Sequence, residues 1–111
     1  MSRDDDQLRL RHMIRCIDKI ERYVNDTFQD GFESDEMMQD AVLKNLEIIG
    51  EAATKLSKAL KEEHSTIPWK QIEGLRHRLV HDYYQVDLTI VWNTIQNRLP
   101  HLRQEIETLL S

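Results

Sequence analysis

Residues 35–64 read DEMMQDAVLKNLEIIGEAATKLSKALKEEH, with apolar side chains recurring at Met38, Val42, Leu46, Ile49, Ala53, Leu56 and Leu60. Steps of three and four place these positions on one face of an α-helix. Asp35 stands where a helix cap belongs, since its carboxylate accepts from the N–H groups of the first turn. One continuous helix to about His64 would span on the order of 40 Å, long enough to be the spine of a bundle. Gly50 lies inside the run beside Ala52 and Ala53. A glycine there costs roughly 1 kcal/mol against alanine, and close approach of another helix is the expected compensation.

The flanking segments carry the same period. Leu10, Met13, Ile14, Ile17, Ile20 and Val24 make an amphipathic helix of roughly Asp5 to Val24. Asn25 to Ser34 is polar apart from Phe28 and Phe32, and Gly31 marks it as a connection. Thr66-Ile67-Pro68 breaks the chain and restarts it, with Pro68 suited to a first helical turn. A third stripe follows at Trp69, Ile72, Leu75, Leu79 and Tyr83. After Val86-Asp87, a fourth runs through Leu88, Val91, Trp92, Ile95, Leu99, Leu102, Ile106 and Leu109. Pro100 should kink or split that last segment. The fold class expected is all-α: an antiparallel bundle of four to five helices, one domain over residues 1–111. The acidic run Asp4-Asp5-Asp6 predicts a frayed, solvated start over residues 1–7.

Composition narrows the function classes. Hydrophobic content of 40% and charged content of 32% describe a globular chain and not a disordered one. No apolar run approaches a bilayer span, and no signal-peptide pattern opens the chain. With Cys16 as the lone cysteine there is no internal disulfide, so a cytoplasmic location without membrane attachment is expected. A net charge of −5 disfavours a broad, sequence-blind nucleic-acid binder, so any such contact must be local.

The local exception is Arg-His-Arg-Leu-Val-His-Asp-Tyr at 76–83. Two arginines and two histidines within six positions form a site for a phosphate, with an imidazole to move a proton. On an ideal helix Arg76 and Tyr83 share a face, whereas His81 lies about 140° from Arg76. Either the helix loosens near Val80, or two copies pair and build the site across a homodimer cleft. For phosphodiester cleavage, His81 suits proton transfer at the ribose 2′-hydroxyl or the leaving oxygen. Arg76 suits bidentate stabilisation of the phosphorane. His77 and Arg78 suit flanking phosphates, and Tyr83 a base or the backbone. This chemistry needs the 2′-hydroxyl and neither metal nor cofactor, so RNA is the substrate it fits. The four-residue spacing of His77 and His81 can suit zinc, but Arg78 stands where a metalloprotease motif has glutamate.

The stretch Gly74–Tyr84 resembles the Arg-x4-His-x-Tyr signature of HepT-type toxins, within the HEPN superfamily of all-helical ribonucleases. Asn45–Ala52, Ile67-Pro-Trp69, Val86–Trp92 and Asn97-Arg-Leu-Pro100 resemble, in order, other segments of that family. The resemblance covers about Leu8 to Ile106. Lys44 departs from it, standing where relatives often have arginine and lacking the bidentate fork.

The resemblance implies a homodimeric, metal-independent endoribonuclease, the toxin of a type VII-like HepT/MntA toxin-antitoxin pair. Arg76 and His81 match its catalytic pair, and His77 its polar position after the arginine. Tyr83 matches the tyrosine that an MntA-type nucleotidyltransferase antitoxin modifies with AMP. The rival reading is a non-catalytic adaptor that binds a nucleotide or phosphate and serves a nucleotidyltransferase as a subunit. Acidic net charge leans towards that rival, and the full Arg-x4-His-x-Tyr set towards the enzyme.

Overall fold

α1 spans Arg3–Tyr23, α2 Gln29–Glu33, α3 Glu36–Thr54, α4 Lys58–Glu63, α5 Trp69–His81, α6 Leu88–Asn93 and α7 Leu99–Leu109. A π turn at Thr94–Arg98 joins α6 to α7. The computed structural model describes residues 3–81 and 86–110, and the side chains of 4–75 and 86–110. Every regular element among the described residues is helical, as the apolar periodicity predicts.

α3 lies between α1 and α5, and α7 closes against α1. Leu10, Met13, Ile17 and Ile20 of α1 face Val42, Leu46, Ile49 and Ala53 of α3 in one core, and all are buried. Leu99, Leu102 and Ile106 complete it. Complete burial of each Leu or Ile contributes about 1.5–3 kcal/mol, so these stripes carry the fold. Gly50 is buried on α3, consistent with a close helix contact there. Cys16 is a core residue too: burial pushes its thiol up, against the opposing pull of Lys19 and Arg15. It is a packing group and not a nucleophile.

Three expectations change. The long second helix is two, because the chain leaves the helix at Lys55 and restarts from Ser57. Ser57 has extended dihedrals (φ −64, ψ 150), and its hydroxyl accepts from Leu60 N–H at 3.2 Å. This cap satisfies an orphan donor of α4 and makes a restart favourable. The Asn25–Ser34 connection contains α2, whose buried residue is Phe32. The left-handed residue of the turn before it is Asp26 (φ 61), not Gly31. Aspartate tolerates that region better than most side chains.

The third change concerns the acidic start. α1 is helical from Arg3, and Asp6 is only 4% exposed. Its carboxylate accepts from the Ser57 amide at 2.9 Å and the Ser57 hydroxyl at 2.5 Å. This contact fastens the start of α1 to the α3–α4 joint. Asp6→Ala leaves both donors without that acceptor and is expected to cost about 1.5–3 kcal/mol, the range for bonds to a charged group. Chemical denaturation measures it, and a loss below 0.5 kcal/mol (on the order of a neutral surface change) would show the contact is dispensable.

At the other end of the bundle, Arg103 of α7 bonds to Asp18 and Glu21 of α1. Gln7 Nε2 donates to the Leu109 carbonyl at 3.1 Å. The two contacts fix α1 and α7 as antiparallel neighbours. Pro100 splits the fourth segment, as its missing N–H predicts. The split takes the form of a π turn in which Leu99 N–H bonds to the Thr94 carbonyl, five residues back. No helix among the described residues is long and apolar enough to cross a membrane.

Candidate active site

α5 carries the cationic cluster and is anchored at its first turns. Trp69 is buried, and its indole N–H donates to the His64 carbonyl at 3.1 Å. Ile72 is buried beside it, and Glu73 pairs with Lys61 of α4 at 2.7 Å. These contacts hold the helix against α3 and α4. Arg76, His77, Arg78 and His81 stand in its last two turns. Their side chains, and Tyr83 altogether, lie outside the described residues.

α5 runs as a helix through His81. A loosening near Val80 is therefore not what would bring the arginine and the histidine together. Positions 76 and 81 stay about 140° apart around the axis of one continuous helix.

Beside the cluster the structure brings together residues that no local spacing connects. A groove of about 940 Å³ lies between α5 on one side and the π turn with α7 on the other. Lys70, Gln71 and Gly74 line the α5 wall, and Thr94, Asn97 and Arg98 the opposite one. Arg98 donates to the Gln71 side-chain oxygen, bridging the two walls. Leu99 and Leu102, both buried, underlie it. At the α7 end His101 lies 3.6 Å from Glu105. Pro100 signalled a break here in the sequence, but nothing in it signalled a π turn or paired Arg98 with α5.

Gly74 is the unusual member. A Cβ built there meets nothing within 4 Å, and its φ is not positive. Neither backbone conformation nor packing in the described residues offsets the roughly 1 kcal/mol that glycine costs inside a helix.

Polar residues of α3 and α1 have ordinary surroundings. Asn45 is buried, and its amide donates to the Ala41 carbonyl at 2.9 Å, one turn back on its own helix. Glu47 pairs with Lys44 at 3.8 Å and Glu51 with Lys55 at 3.5 Å, along the α3 surface. His12 is exposed on α1.

A family model described as Ribonuclease HepT-like matches residues 13–109, which takes in α5, the cluster and the groove. The chain belongs to this family. HepT-like relatives fall at moderate identity. A Caldanaerobacter subterraneus protein, named as an inferred RNase, is 39% identical over 91% of this chain and 90% of its own length. A Methanocaldococcus jannaschii protein, named gamma-glutamylcyclotransferase and inferred RNase, is 36% identical over 94% of this chain. The chain spans about half of that relative, 47% of its length. The mRNA nuclease HepT of Shewanella oneidensis is 27% identical over 86% of this chain and 88% of its own. No solved structure matches the chain at comparable stringency. HepT-like membership places the chain among ribonucleases, the enzyme class that the cluster at 76–83 suggested.

Proposed function

We propose that the chain is the toxin of a HepT/MntA-type pair, a metal-independent endoribonuclease acting as a homodimer. One observation carries this reading: an intact Arg-x4-His-x-Tyr sequence, its arginine and histidine in the last turns of α5, inside a HepT-like match over residues 13–109. The 140° between positions 76 and 81 supports a composite cleft, in which Arg76 of one protomer serves His81 of the other.

In cleavage, a ribose 2′-oxygen attacks the adjacent phosphorus and the 5′-oxygen leaves. His81 moves a proton at one of these oxygens, and Arg76 stabilises the charge on the phosphorane. The products are a 2′,3′-cyclic phosphate and a 5′-hydroxyl. His77 and Arg78 hold flanking phosphates. Neutralisation is a second transfer: the Tyr83 oxygen attacks the α-phosphorus of ATP, and pyrophosphate leaves. The tethered AMP then occupies the anion site and repels RNA.

A labelled RNA pool in EDTA, incubated with protein whose intact mass shows Tyr83 unmodified, tests the enzyme. Cleavage with cyclic-phosphate ends is expected. An intact pool would move the assignment to the nucleotide-binding adaptor. Tyr83→Phe is expected to cleave like the parent and to keep cleaving after incubation with an MntA-type nucleotidyltransferase and ATP. Silencing of that variant would show that antitoxin binding alone suffices.

A further inference from the structure

We infer that the groove between α5 and the π turn is the track for a single RNA strand entering the site, with Lys70 and Arg98 as its phosphate contacts. This rests on the ribonuclease reading and extends it to residues outside the Arg-x4-His-x-Tyr set.

Charge is the first argument. Lys44, Lys55, Lys58, Lys61 and Arg103 each face a carboxylate. Among the described residues Lys70 has no such partner, and Arg98 bonds to the neutral Gln71 oxygen. Two cations without a carboxylate partner among the described residues therefore face one concave surface of a chain whose net charge is −5, and the carboxylate in that lining, Glu105, faces His101. An anion fits that arrangement.

Shape is the second. The groove, at about 940 Å³, is on the scale of a ligand-sized segment, so it admits a short stretch of one strand and not a duplex. Gly74 leaves its own place on the α5 wall without a side chain, which is what close approach of another backbone requires. π turns inside helices occur frequently at functional sites, and this one lines the facing wall.

Among the described residues no Phe, Tyr, Trp or Met lines the groove. A protein partner would be expected to find such anchors, and base stacking would need the aromatic rings. Sugar–phosphate contact needs neither. The α5 register then leads from the groove to the cluster: positions 74, 78 and 81 follow one another at helical spacing. The track thus delivers its strand along the helix that bears the catalytic pair.

The whole 111-residue chain, with fluorescent single-stranded RNA whose riboses are 2′-O-methylated, gives the test by anisotropy across about 50–200 mM salt. Lys70→Gln/Arg98→Gln is expected to weaken binding about tenfold or more and to flatten the salt slope by about 1.4, or ~0.7 per lost phosphate contact. Gly74→Leu keeps a good helix former but fills the groove, and about a tenfold loss is expected with unchanged helicity. Arg15→Gln/Arg22→Gln removes the same charge from the exposed face of α1 and is expected to change affinity by less than about twofold. With cleavable RNA the groove variants should raise KM more than they lower kcat.

Groove variants that bind like the α1 control, beside a parent that binds and cleaves, would overturn the track and leave the ribonuclease reading standing. A parent that binds through the groove but leaves cleavable RNA intact would sink the nuclease and keep the track. Binding lost only because the groove variants dissociate an oligomer, seen by sedimentation, would make the groove a contact between copies and overturn the inference. A parent that neither binds nor cleaves takes both down.

Discussion

His81→Ala protein is expected to leave RNA intact in EDTA, with cleavage reduced about 10²–10⁴-fold, the usual contribution of a positioned acid or base. Arg76→Ala should fall comparably, since it removes a charge-assisted contact made to the transition state. Arg76→Lys should recover little, because an ammonium cannot reproduce the bidentate fork. The arrangement on α5 makes a stronger statement possible. If each cleft takes Arg76 from one protomer and His81 from the other, a dimer of one Arg76→Ala and one His81→Ala chain has one cleft lacking both groups and one intact cleft. Refolding the two inactive proteins together should then restore about a quarter of parental activity, as random pairing of a two-fold dimer dictates. No recovery, with mixed dimers confirmed by mass, would place both groups of each site in the same chain.

Phe32→Ala is expected to have the largest effect on stability, about 3–5 kcal/mol, against about 5–15 for a typical domain. α2 has five residues, far too few to be helical on its own. Phe32 is the residue it buries, and its ring meets Trp92 of α6 with centroids 5.5 Å apart. Deleting the ring opens a cavity and also releases α2 from α3 and α6, against which it packs. A Tm lower by roughly 10–20 °C follows at this chain length. Phe28→Ala is the contrast. That ring is 82% exposed, so a change within about ±0.5 kcal/mol is expected. Equal losses from the two variants would mean that burial is not what holds α2.

The two phenylalanines also show where sequence reading stops. Four residues apart in a polar stretch, Phe28 and Phe32 look equivalent, and only the tertiary contact with Trp92 separates them. The long stripes of α1, α3 and α7 were legible because one buried face imposes its period on many positions. The break at Lys55–Ser57 was not, since the apolar spacing from Ala53 to Leu56 to Leu60 continues across it. What decides the break is a serine cap supported by Asp6, 51 residues away. The same distance hid Asp6 itself among solvated acids. Arg76, His77, Arg78 and His81 were found by local spacing and by resemblance, both of which a linear chain displays. Lys70 and Arg98 come from different helices, and only the fold makes them neighbours.

The π turn has a consequence for chain length. Its hydrogen-bonded ring holds one residue more than an α-turn does. Thr94–Arg98 is therefore equivalent to a regular helix carrying a one-residue insertion, with the surplus absorbed on the spot. Removing Gln96, an exposed member of that turn, should turn the bond from Leu99 N–H to the Thr94 carbonyl into an ordinary α-turn while Val91 upstream and Leu102 and Ile106 downstream keep their places in the core. A HepT-like chain one residue shorter at this point would show a gap in alignment and almost none in space.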